Sequence, residues 1–311
     1  MSVAKAGEFG LIARVIARLP SGPGTLLGPG DDAAVVRAAD GRVVASTDVL
    51  VEGRHFRRDW CTAQDVGHRA AAANLADIAA MGAKPTALLV ALCVPANLDA
   101  QWAEDLADGL GEEAAKVGAA VVGGDMSGSP TLTIAVTALG DLEGRPPVVR
   151  TGARPGDTVA MVGRVGYAAA GYTVLSRGFR TPKVLVDAYR RPEVHYDAGP
   201  EAAGLGATSM IDVSDGLLAD VGHVAKGSGV AVDLRREAFE LPQQMRDAAY
   251  ALGVDPYTWV LAGGEDHALV ATFPRGVEPP PRWRLVGVVR EGMGVTVDGK
   301  PFKGPAGWQH F

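Results

Sequence analysis

Apolar residues recur at Phe9, Ile12, Val15, Ile16 and Leu19, with Glu8, Arg14 and Arg18 between them. That spacing predicts an amphipathic helix at the head of the chain. A loop over 20–30 leads to the short apolar run AAVV, and VVAST at 43–47 reads as a second strand ending in Asp48. The Ala-rich stretch 65–83 predicts a helix with Asp65 as its N-cap and Gly82 as its stop. TALLVALCV at 86–94 predicts a buried strand, and Trp102, Leu106 and Leu110 mark the next helix by their i, i+4 spacing. AAVVGGD and TLTIAVTALG then read as strands, the first running into a carboxylate loop.

The segment 143–157, EGRPPVVRTGARPGD, breaks the pattern with proline, glycine and arginine, which predicts a domain boundary near residue 150. Beyond it, TVAMVG predicts a strand, GYAAAGYTVLSRG a helix, TSMIDVSDG a strand entering a helix, and WVLAGGED a strand entering a loop. HALVATF and RLVGVV read as late strands. Strands alternating with helices in both halves predict an α/β or α+β layout. No repeat of fixed period is present.

Composition narrows the class. The 311 residues are 47% hydrophobic and 21% charged, the balance of a globular chain with a sizeable core. A net charge of −6 argues against non-specific nucleic-acid binding. Cys61 and Cys93 form no CxxC pair, so neither a disulfide framework nor a zinc knuckle is expected. No apolar run is long enough to span a membrane, and the first residues lack the layout of a secretory signal. The expectation is a reduced, cytoplasmic protein.

One device recurs. An apolar run, then glycine or a small residue, then acid appears as GPGDD, ASTD, VVGGD, IDVSDG and LAGGED. Each taken singly is an ordinary turn. Together they predict carboxylates converging where strands end, the place where ligands bind in α/β folds. Two like charges at 4 Å cost about 4 kcal/mol at an effective dielectric of 20. Convergence therefore implies either raised pKa values or bound cations. Oxygen ligands without His or Cys suit Mg²⁺, which completes its shell with water and phosphates. Asn74 and Asp77 share one face of the Ala-rich helix, and Asp212 and Asp215 bracket a helix start whose free N–H groups suit a phosphate. No GxxxxGK[ST], HRD or DFG motif is present, so neither a P-loop enzyme nor a protein kinase is indicated.

Along nearly its whole length the chain resembles the thiamine-monophosphate kinase family. That family belongs to the superfamily typified by aminoimidazole-ribonucleotide synthetase and selenophosphate synthetase. The resemblance is carried by GEFGLIARV, GPGDDAAVV, STDVLVEGRHF, NLADIAAMGAKP, VVGGD, RTGARPGD, IDVSDGLLADVGHV, AGGED and GWQHF. The opening GEF and the STD-to-HF block are its specific pieces. It implies two mixed-sheet domains flanked by helices, with a nucleotide cleft between them and N-terminal domains pairing in a homodimer. Residues 1–149 would bind ATP and Mg²⁺ and dimerise, and 150–311 would complete the active site. The implied activity is phosphorylation of thiamine monophosphate by ATP with several Mg²⁺ ions.

Residue by residue, the resemblance implies metal binding by Asp32, Asp48, Asp77, Asp125, Asp212 and Asp215, with Ser46 and Thr47 as supporting oxygens. Gly124, Asp125, Arg150 and Ser214 match nucleotide contacts, and His55, Glu265 and Trp308 match the substrate side. Asp48, Asp125, Asp212 and Arg150 would carry the transfer itself, with Asp31 behind the metal ligands. Met126 stands where the family usually has threonine, and His267 where tyrosine is common. Val117 and Gly118 stand where an aromatic is expected near the adenine.

The acceptor would be a phosphate monoester, mostly dianionic at neutral pH, which needs charge screening more than a general base. Direct in-line transfer without a phosphoenzyme is the expected course. Two rival readings use the same acids: a superfamily synthetase with another acceptor, and a non-catalytic Mg²⁺–nucleotide-binding protein.

Overall fold

The computed structural model describes residues 5, 8–29, 34–304 and 306–308, without the side chains of Glu8 and Phe9. The chain divides into two compact units. Unit 1 is Met1–Ile78 with Ala83–Gly144, and unit 2 is Ala79–Gly82 with Arg145–Phe311. The division falls inside the Pro/Gly/Arg-rich segment. Ala79–Gly82 belongs to unit 2 because Val148 N–H donates to Met81 O at 3.0 Å and Gly199 packs directly on Ala79 O.

In unit 1, helix α1 (Glu8–Ile16) is followed by an antiparallel pair, β1 (Thr25–Leu27) and β2 (Val35–Val36). Strand β3 (Val44–Val51), helix α2 (Ala63–Ala80), β4 (Lys84–Val94), helix α3 (Ala100–Ala115), β5 (Ala120–Gly128) and β6 (Thr133–Asp141) complete it. The sheet order is β3-β6-β4-β5, with β4 and β5 parallel and the other pairs antiparallel. β6 alternates strictly, and its buried Ile134, Val136 and Ala138 share the core with Leu75 and Ile78 of α2. The opposite face carries Thr47, Val49, Leu89 and Ala91, all exposed.

Helices α2 and α3 meet backbone to backbone. A Cβ on Gly67 would lie 2.2 Å from Leu106 O, and one on Gly109 would lie 2.1 Å from Gln64 O. Only glycine permits that approach. Beside the crossing, the buried His68 ring has Nδ1 2.8 Å from Glu113 Oε2 and Nε2 2.9 Å from Glu112 Oε2. Arg14 and Arg18 of the N-terminal segment pair with Glu104 on α3.

Unit 2 holds β7 (Thr158–Val162), α4 (Tyr167–Ser176), α5 (Lys183–Arg190), α6 (Ala198–Gly204), β8 (Ser209–Asp212) and α7 (Leu217–Ser228). It continues through β9 (Ala231–Leu234), α8 (Gln243–Leu252), α9 (Pro256–Ala262), β10 (Leu269–Phe273), β11 (Arg284–Arg290) and β12 (Gly294–Val297). The six-stranded sheet runs β12-β9-β11-β7-β10-β8, and only β12 and β9 are parallel. β8 and β10 are buried at every position. Phe273 at the end of β10 meets Trp283 edge-on, with ring centroids 5.5 Å apart.

Several sequence expectations change in detail. WVLA is the last turn of α9, not a strand: Asp255 accepts the Tyr257 N–H, and Pro256 takes the first helical position. A four-residue apolar run cannot choose between helix and strand, and the cap decides. Asp65 is not the N-cap of α2 but its third residue. Its carboxylate accepts the Thr62 N–H at 3.0 Å while Thr62 Oγ1 accepts the Asp65 N–H at 3.1 Å, a reciprocal cap with Thr62 in the outer position. Asp48 and Asp125 lie within β3 and β5 and not at their ends. β1 lies inside the stretch 20–30 expected to be a loop, and β9, β12, α5, α6 and α8 fall where no element is expected, although α5 buries Leu185, Val186, Ala188 and Tyr189 on one helical face.

Candidate active site

The pleat of β3 sends successive side chains to opposite faces. Ser46 Oγ donates to Asp77 Oδ2 at 2.6 Å, which fixes the face toward α2. Asp48 shares that parity, and its N–H donates to Asn74 Oδ1 at 3.1 Å. Asn74 Nδ2 in turn donates to Ala70 O at 2.9 Å, and the residue has no solvent exposure. Asn74 and Asp77, one turn apart, thus clamp α2 to β3 and present Ser46, Asp48 and Asp77 together. Thr47 is separated from them. Its hydroxyl donates to Val136 O at 3.0 Å and accepts from Thr137 Oγ1 at 3.1 Å on the other face.

Gly124 and Asp125 lie exposed on β5, the edge strand, paired with Val90 and Ala91. A Cβ at Gly124 would sit 1.9 Å from Val90 O, so this position accepts no side chain. Both residues border an apolar cavity of about 780 Å³ within unit 1, walled by Ile12, Ile16, Leu106 and Leu110. His55 Nδ1 accepts the Val51 N–H at 3.0 Å and closes the turn after β3. Asp31 and Asp32 lie outside the described residues.

In unit 2, three separated segments lie side by side. Val213 N–H donates to Ala268 O at 2.8 Å, His267 N–H to Val213 O at 3.0 Å, and Glu265 N–H to Ser214 O at 2.8 Å. Trp308 N–H donates to Asp215 O at 2.8 Å. These bonds assemble Asp212, Ser214, Asp215, Glu265 and Trp308 at the start of α7. Glu265 and His267 hold φ of 70° and 52°, a left-handed backbone that non-glycine residues adopt at a cost. Trp308 is 58% exposed.

Three carboxylates here are buried. Asp212 Oδ2 stands 3.1 Å from His267 Nδ1. Asp220 Oδ2 accepts the Asp215 and Gly216 N–H groups and so shapes the turn. Burial, with Asp212's negative charge beside it, pushes the Asp220 carboxyl up to about 7. Asp266 caps α4 from a distant loop, accepting Gly166 N–H at 2.6 Å and Ala168 N–H at 2.9 Å. Burial pushes its carboxyl up to about 7 against the pull of those two donors. Sequence reasoning missed Asp220, Asp266 and the contact made by His267. The only signal for the last was an ionisable side chain following GGED.

Arg150 does not join this group. It is exposed, and its carbonyl accepts Ser228 Oγ at 3.2 Å, at the far end of α7. A twelve-residue helix is about 18 Å long, so the backbone of Arg150 and that of Ser214 lie near opposite ends of α7. Among the described residues, no three His, Cys, Asp or Glu side chains gather closely enough to hold a metal ion by themselves. The expected convergence of the whole acid set is therefore not seen within either unit. What is seen is one small oxygen set in each.

Over 307 residues, 98% of this chain and 92% of the relative, the chain is 49% identical to thiamine-monophosphate kinase of Mycobacterium tuberculosis. The chain belongs to the thiamine-monophosphate kinase family. The family model for AIR synthase related protein, N-terminal domain, matches residues 30–142. Among solved structures, thiamine-monophosphate kinase from Stenotrophomonas maltophilia K279a superposes with a TM-score of 0.83 at 30% identity, covering 94% of this chain and 97% of that one. AaThiL complexed with AMPPCP and TMP superposes with a TM-score of 0.82 at 34% identity, covering 100% and 99%. The mixed α/β architecture is thus that of the thiamine-monophosphate kinases. No helix among the described residues is long and apolar enough to cross a membrane.

Proposed function

We propose that this chain transfers the γ-phosphoryl group of ATP to thiamine monophosphate, yielding thiamine diphosphate and ADP. The observation that carries this reading is its end-to-end match to a kinase structure holding AMPPCP, an ATP analogue, together with TMP. The oxygen-only sets support it, because Ser46, Asp48 and Asp77 in unit 1 and Asp212 and Asp215 in unit 2 offer the hard ligands that Mg²⁺ takes. Asp32, outside the described residues, and Asp125 are assigned to the same task. Bound there, Mg²⁺ screens the charge between two polyanionic phosphates and stabilises the departing ADP.

The chain's own residues position the partners. Gly124, bare of a side chain on an edge strand, leaves backbone open to the nucleotide, and Ser214 sits in the turn before helix α7, where the Asp215 and Gly216 N–H groups are already taken by Asp220. Trp308 offers an exposed indole face to the cationic thiazolium ring, and Glu265 offers a carboxylate to donors on the same molecule. His55 is assigned to the substrate side as well. A phosphate dianion attacks without a general base, so transfer is direct and in line, with no phosphoenzyme. The exposed face of Thr47, Val49, Leu89 and Ala91 is assigned to pairing between two copies, in a cytoplasmic homodimer.

Incubation with ATP, Mg²⁺ and thiamine monophosphate, followed by chromatography, tests the reading. Thiamine diphosphate should appear in step with ADP, and neither without the acceptor. Absence of thiamine diphosphate from folded protein would overturn it.

A further inference from the structure

Two buried side chains from segments 55 positions apart meet at the base of the unit 2 set: His267 Nδ1 and Asp212 Oδ2, 3.1 Å apart. Asp212 is 2% exposed and His267 4%, so solvent neither competes for this bond nor weakens it. An ionised carboxylate only accepts, which makes Nδ1 the donor and settles the orientation of the ring. The ring is aimed there by backbone that is otherwise unfavourable. His267 holds φ at 52°, and its N–H is pinned to Val213 O while Val213 N–H is pinned to Ala268 O. Both residues of the pair are therefore registered by the same two backbone bonds.

The geometry points to His267 as the positioning residue for Asp212: its Nδ1–H occupies one carboxylate oxygen and turns the other toward a divalent cation. This rests on the reading of Asp212 as a metal ligand. A carboxylate held by a second, hydrogen-bonded residue keeps one orientation, and loss of such a partner costs metal affinity about 10–100-fold. Nothing in the reaction needs the imidazole to touch substrate. It acts through Asp212. Asp220 is committed to the turn instead, its Oδ2 accepting the Asp215 and Gly216 N–H groups.

Three substitutions separate the donor from the ring. His267→Gly relieves the positive φ and removes the donor. His267→Asn keeps an N–H donor near the Nδ1 position, and asparagine tolerates this backbone region. His267→Gln fills more of the space but carries its donor beyond that position. Mn²⁺ is titrated into each full chain in the presence of ADP and followed by water-proton relaxation, with thermal unfolding as a check of the fold. His267→Gly and His267→Gln should bind Mn²⁺ about tenfold or more weakly, and His267→Asn should recover most of the affinity. The Mg²⁺ requirement for thiamine diphosphate formation should shift in the same order.

Unchanged Mn²⁺ affinity in His267→Gly, or in His267→Gln should the glycine variant not fold, would overturn the assignment. So would equal loss in all three, which would mark the ring as filler, or failure of the natural chain to bind Mn²⁺. A natural chain that binds Mn²⁺ with this pattern but makes no thiamine diphosphate would instead overturn the acceptor proposed above and leave the positioning role standing.

Discussion

Ser46 Oγ donates to Asp77 Oδ2 across 2.6 Å, joining strand β3 to helix α2. The bond holds the Asp77 carboxylate in one orientation on the face that α2 presents to β3. Ser46→Ala should therefore leave the fold intact but raise the Mg²⁺ concentration for half-maximal thiamine diphosphate formation by about tenfold. An unchanged Mg²⁺ titration would remove Ser46 and Asp77 from the metal site.

Asn74 tests the clamp rather than the chemistry. Its amide joins Ala70 O to the Asp48 N–H with no exposure to water. In Asn74→Ala the Asp48 N–H loses this acceptor and the buried space of the amide is left empty, while Ala70 O keeps the helical N–H of residue 74. Unfolding in urea should show stability lower by about 1–3 kcal/mol. A loss of activity without any loss of stability would instead show that Asn74 touches ligand.

Gly124→Ala places a methyl group against Val90 O, where the Cβ position is only 1.9 Å away. Strand β5 must move off β4 to admit it, at a cost of about 1–3 kcal/mol. Because Gly124 and Asp125 are assigned to the nucleotide, ADP binding by calorimetry should weaken about tenfold or more, ~1.4 kcal/mol. Native ADP affinity in this variant would place the nucleotide elsewhere.

Asp266 makes stability depend on pH with an unusual sign. Its carboxyl is pushed up to about 7 in the fold, above its unfolded value, so the native state binds the extra proton between the two. Its contribution is present at low pH and is lost as pH rises through about 7, at up to ~1.4 kcal/mol per pH unit. Urea unfolding in metal-free buffer should show lower stability at pH 8 than at pH 5. Asp266→Asn should flatten that difference, while losing some stability at pH 5 because an amide accepts only one of the two N–H groups from Gly166 and Ala168. Part of the slope should remain, since Asp220 is raised in the same direction. A variant whose profile matches the natural chain would exclude Asp266 as the source.

Much of this site was legible before any coordinates. Asn74 and Asp77 read as one helical face, and they are one, because 3.6-residue periodicity is a local property of the backbone. Asp212 and Asp215 read as a strand-to-helix turn, and β8 and α7 flank them. WVLA misled because four apolar residues carry no period, and the Asp255 cap one turn upstream outweighed them. The family resemblance implies Ser46 and Thr47 together as supporting oxygens, yet adjacent residues of a strand send their side chains opposite ways, a consequence of the pleat once Val44–Val51 is known to be one strand.

Chain composition and short-range pattern alone determined the class of the fold and the alternation of strands and helices, and they marked the recurring acid-bearing loops. These depend on interactions within a few residues, or on no geometry at all. Tertiary structure decided that His267 reaches Asp212 across 55 positions and that Asp266 caps a helix 100 positions earlier. Such partners become neighbours only when burial of the sheet brings their backbones together, and the low-dielectric interior then makes each bond strong enough to matter.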